Sequence, residues 1–68
     1  MNQTTLNKFL RKRAIVHLKT GRIYTGEVIE VNEDSMEIID KFNKHVTISN
    51  DTISNIEVEG GEEHELDK

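Results

Sequence analysis

The chain has no cysteine, no proline and no tryptophan. Without cysteine it forms neither a disulfide nor a thiolate metal site. Its histidines, His17, His45 and His64, are too scattered to make a metal-ligand pattern. Without proline, nothing of that kind blunts a sheet edge, so edge strands stay open to pairing with another chain. The only aromatics are Phe9, Tyr24 and Phe42. That scarcity disfavours the aromatic grooves and cages by which small barrels read proline-rich or methylated peptides. No apolar run reaches the roughly 18 residues of a membrane-spanning helix. The stretch MNQTTLNKFLRKR lacks the apolar segment of a secretory signal. A cytoplasmic setting without membrane association is therefore expected. No nucleophile–base pair and no glycine-rich phosphate loop is visible, so neither an enzyme nor a bound cofactor is expected.

What is present is a short, charged chain: 68 residues, 34% apolar and 32% charged, with a net charge of −4. That length allows one domain. A core this small leaves little surplus over chain entropy, and small scaffolds usually add disulfides, a metal or oligomerisation. With the first two set aside, assembly with other copies is the expected staple. Charge is unevenly distributed. Residues 1–30 carry a balance of +4, from Lys8, Arg11, Lys12, Arg13, Lys19 and Arg22 against Glu27 and Glu30. Residues 31–68 carry −8. Such asymmetry points to polyanion binding or to an acidic tail.

Hydrophobic periodicity predicts a short N-terminal helix over about residues 3–12, with Leu6, Phe9 and Leu10 on one stripe. Lys8, Arg11 and Lys12 occupy its other faces and form a candidate basic surface for phosphates, one that would be salt-sensitive and weakly sequence-specific. Alternation predicts a strand at residues 14–19 and, after a Thr20-Gly21 turn, a long one at 22–31. Gly26 inside that strand marks a bend or a close backbone approach. Further strands are expected at 36–41, 45–48 and 53–58, with a single 3₁₀ turn at 49–52. Connections of two to four residues force antiparallel neighbours. The fold class expected is mainly β: a short N-terminal helix, then a five-stranded, strongly bent antiparallel sheet, an open barrel over residues 14–58 of a domain spanning 1–58. The glycine-rich, acidic residues 59–68 are expected to form a disordered tail.

These residues resemble the Sm and Sm-like family, which includes bacterial Hfq. AIVHLKTGRIYTGEV looks like the first Sm motif, with Gly21, Arg22, Tyr24 and Gly26 at its turn, aromatic and bend positions. ISNDTISNI looks like the second, through Ile48, Ile53 and Ile56, and LNKFLRKR is similar to the helix that precedes the barrel in Hfq. The resemblance implies an SH3-type open barrel that assembles into a ring of about five to seven copies by pairing the fourth strand of one with the fifth of the next. It also implies a chaperone or scaffold for single-stranded RNA. Pore contacts would then come from Asn32, Asp34, Ser35, Met36, Ser49 and Asn50. The sequence departs from the family's RNA signatures in two places. Ser49-Asn50 stands where an Arg-Gly pair is usual, and Met36-Glu37 stands where Met-Asn is usual. The alternative expectation is a ring-forming structural module of the same fold without a functional RNA site.

Overall fold

The structure, a computed structural model, describes residues 1–59. The expected acidic tail lies outside the described residues except for Glu59.

The chain begins with one turn of helix, α1 (Gln3–Leu6), followed by a 3₁₀ turn (Asn7–Phe9). Asn2 caps it: its side-chain oxygen accepts the Thr5 N–H at 2.8 Å. Leu6 is fully buried and Phe9 half-buried. The predicted helix to residue 12 is corrected here, because a competing set of hydrogen bonds ends it early. Arg11 adopts a left-handed φ of 69°. Its N–H then donates to Val28 O at 2.6 Å, and the Val28 N–H donates to Lys12 O at 3.0 Å. The neighbouring strand therefore captures residues 11–12, and Leu10 leaves the apolar stripe with 38% of its surface exposed.

Five strands follow: β1 (Arg13–Leu18), β2 (Ile23–Val31), β3 (Ser35–Asp40), β4 (His45–Ser49) and β5 (Ile53–Val58), with a 3₁₀ turn (Asn50–Thr52) before the last. All pairings are antiparallel, in the order β4-β3-β2-β1-β5. β4 and β5 are joined in sequence but occupy opposite edges, so the sheet is not closed into a barrel. The expected fold class, a short helix followed by a bent five-stranded antiparallel sheet, is the one observed.

The bending has local causes. Register shifts between Val28 and Glu30 on β2, and between His17 and Leu18 opposite β5. Each shift is bulge-like and sharpens the local twist. On β5 the extra residue is Ser54, whose hydroxyl donates to His17 O at 3.1 Å. It lets Ile53 and Ile56, three apart, both turn inward. At Gly26 the strands approach so closely that a Cβ would collide with the Ile39 carbonyl oxygen and lie 2.9 Å from its carbon. Gly21 supplies a φ of +97° in the β1–β2 turn. The inward face gathers Ala14, Val16, Val28, Met36, Ile38, Ile48, Ile53 and Ile56, and Leu6 brings the helix onto the same core.

Candidate nucleic-acid interface

Five of the six residues singled out as pore contacts come together, at the end of the sheet where the β2–β3 turn meets the 3₁₀ turn. The organiser is Asn50. The residue is 3% exposed, and Nδ2 donates to Asn32 O at 3.0 Å and to Glu33 O at 3.1 Å. Its backbone N–H donates to Asp34 O at 2.9 Å, and the Asn32 N–H to Ser35 O at 2.7 Å. Ser35 pairs with Ser49 across β3 and β4. Asn32, Asp34, Ser35, Ser49 and Asn50 therefore form one hydrogen-bonded cluster. Its Asn50 amide protons are already used internally. Met36, by contrast, is fully buried in the core and offers no face to a base. The cleft beside this cluster is rimmed by the exposed carboxylates of Glu33, Asp34 and Asp51 against one cation, the Met1 ammonium, which donates to Asn50 O at 2.7 Å; the balance is negative and disfavours phosphate.

Lys8, Arg11 and Lys12 lie on the 3₁₀ turn and the link into β1, all exposed. Among the described residues none of the three forms an ion pair; the carboxylates of Glu37, Glu57 and Glu59 are matched to His45, His17 and Arg13. Arg11 is held by its backbone. Its left-handed φ is costly for a residue with a Cβ, yet the bond to Val28 O fixes it.

A third surface escaped the sequence reading. Tyr24 and Phe42 line a common cleft of about 400 Å³ with Arg13, Lys41, Asp40 and Glu59. Phe42 stands on the β3–β4 turn with 72% of its surface exposed. That turn is tightly specified. Asp40 Oδ1 accepts the N–H groups of Phe42 and Lys44, each at 2.9 Å. Asn43 takes a φ of 65°, a conformation asparagine tolerates. Cations sit against both rings: the Arg22 guanidinium is 5.6 Å from the Tyr24 centroid, and Lys41 Nζ is 5.5 Å from that of Phe42. Arg13 Nε meets Glu59 Oε1 at 2.8 Å. The available signal was the placement of two of three aromatics beside cations, at Arg22/Tyr24 and Lys41/Phe42. These sites are 18 residues apart, so only the strand pairing unites them.

Among the described residues, no cluster of His, Asp or Glu could hold a metal ion, and no helix is long and apolar enough to cross a membrane. No family model matches the chain, and no curated protein or solved structure matches it either.

Proposed function

We propose that this chain is a ring-forming Sm-like protein that binds single-stranded RNA as a chaperone or scaffold. The observation that carries the RNA reading is the exposed trio Lys8, Arg11 and Lys12, which has no acidic partner among the described residues. Repeated in a ring, the trio makes a basic annulus able to neutralise many phosphates at once. The ring itself is supported by the topology. β4 and β5 are unpaired edges of five and six residues on opposite sides of the sheet. Such edges suit head-to-tail pairing that closes on itself.

The test is filter binding of labelled oligo-U and oligo-A over a range of salt. Lys8→Ala/Arg11→Ala/Lys12→Ala together should abolish binding at moderate salt. The slope of log K against log salt should shrink by about 0.7 for each phosphate contact removed. A second reading is favoured by Asn50 and Met36, since the amide of one and the side chain of the other are committed inside the fold. In that reading the ring is a structural module with no RNA site. Absence of binding at low micromolar protein in low salt would favour it.

A further inference from the structure

We propose that the seam between copies is a metal site, in which His17 and Glu57 of one copy and His45 of the next bind one zinc-like divalent ion. The proposal rests on the ring reading above, because one copy does not bring the three ligands together.

Each open edge of the sheet carries a histidine beside a carboxylate. On the β5 side, His17 Nε2 lies 3.4 Å from Glu57 Oε2. On the β4 side, His45 Nδ1 lies 3.7 Å from Glu37 Oε1. Val16, Ile38, Val46 and Ile56, beside these residues in sequence, pack on the core. Strand alternation therefore turns all four polar side chains to the outer face. The two pairs share one geometry. His17 stands opposite Asn55 and His45 opposite Ile39, so each carboxylate is the diagonal neighbour of its histidine. A lone copy thus has two ligands at each edge, and among its described residues no group of three.

Joining the edges supplies the third ligand. In the ring, β4 of one copy runs beside β5 of the next. Antiparallel pairing over their full length, with inward residues on one side, sets Val46 opposite Ile56. His45 then stands opposite Glu57, with Cβ atoms about 4.5–5.5 Å apart. His17 lies one strand beyond, already turned to Glu57.

The donor set identifies the ion. Two ligands bound to zinc at about 2.1 Å stand roughly 3.4 Å apart in a tetrahedral site. His17 Nε2 and Glu57 Oε2 already keep that separation. His45 presents Nδ1 to Glu37, which leaves Nε2 as the ligand. Glu37 then stands where zinc-bound histidines commonly carry a carboxylate behind them. Two imidazoles and one carboxylate make an open zinc set, with the fourth position left to water. Calcium and magnesium prefer all-oxygen shells and are poorly served. The surroundings favour a cation. Arg13 is committed to Glu59, and among the described residues Glu37 and Glu57 pair only with histidine.

The full chain, stripped of metal with EDTA, is titrated with zinc and followed by native mass spectrometry. Rings are expected to take up one zinc per copy and monomers none. Cobalt(II) in place of zinc should give the intense visible bands of a four-coordinate site. His17→Ala and His45→Ala should each abolish uptake at equimolar zinc. Glu37→Gln should weaken uptake about ten-fold and leave the cobalt bands in place, as expected of a positioning residue. All of these side chains lie on the outer face, so the variants keep the fold, and circular dichroism melts verify this. Co-refolding the two histidine variants, one of them labelled with nitrogen-15, gives mixed rings visible by mass. Zinc should return to about a quarter of their seams, those where His45 of one variant meets His17 of the other.

Rings that take up no zinc overturn the site and leave the ring reading intact. A chain that stays monomeric and takes up no zinc overturns both. Uptake that survives His45→Ala but is lost in His64→Ala assigns the metal to residues beyond Glu59 and refutes the proposal. Equal uptake by monomer and ring, or no recovery in mixed rings, refutes it as well.

Discussion

The side-chain amide of Asn50 donates to two carbonyls of the β2–β3 turn, while its own Oδ1 is buried without a partner. A buried amide with two good bonds stabilises the turn by roughly 1–3 kcal/mol, and losing it strands the carbonyls it served. Asn50→Ala should therefore lower unfolding stability by about 2 kcal/mol in urea titration. Asn50→Asp keeps the shape but turns a carboxylate toward two carbonyl oxygens, and should cost more than alanine. If instead Asn50→Ala left stability unchanged and removed RNA binding, the residue would be a base contact and not a clamp. Gly26 gives a second residue-scale prediction. Alanine there meets β3 backbone, which cannot swing aside as a side-chain tip can. Gly26→Ala should cost about 1–3 kcal/mol by the same measurement. Wild-type stability in that variant would mean that the strands separate freely at this point. The two residues differ in how openly the sequence declares them. A glycine inside a β-branched strand is visible as an anomaly. An asparagine in a polar turn looks like any other, and whether its amide points inward or outward depends on carbonyls 17 and 18 residues away.

At the scale of elements, the strands were legible and the end of the helix was not. Alternation of apolar residues is local, so β1 to β5 fall within about a residue of where the pattern puts them. The helix end depends on a contest between helical bonds and the bonds of residues 11–12 to Val28, and the second set is invisible locally. The junction stores strain at Arg11, where a left-handed residue with a Cβ costs about 1–2 kcal/mol. Glycine relieves that strain and gives back about 0.5–1 kcal/mol through its more flexible unfolded chain. Arg11→Gly should accordingly stabilise the domain by about 0.5–1 kcal/mol, seen as a melting point a few degrees higher. The same variant should weaken RNA binding, because it deletes one cation of the trio. A variant that melts lower would show that the arginine side chain, not the backbone conformation, holds the junction together.

At the scale of the whole molecule, the open question is how a sheet with two bare edges persists. The described core consists of nine buried apolar residues with one polar companion, and the chain has no disulfide. A domain of this size gains most from partners that satisfy its edges and bury more surface. β4 and β5 face opposite ways across the sheet, so pairing one with the other in a neighbouring copy propagates with a fixed rotation and can close into a ring. Assembly makes stability depend on concentration by mass action, since only the folded state binds its neighbours. The thermal midpoint is therefore expected to rise steadily as protein concentration increases ten-fold and again ten-fold. Native mass spectrometry at the upper concentration should show a species of about five to seven copies. A midpoint that does not move, together with a monomer in the mass spectrum, would mean that the edges are tolerated bare. The basic trio would then act as three charges and not as an annulus, and the steep salt dependence expected of RNA binding would fall with it.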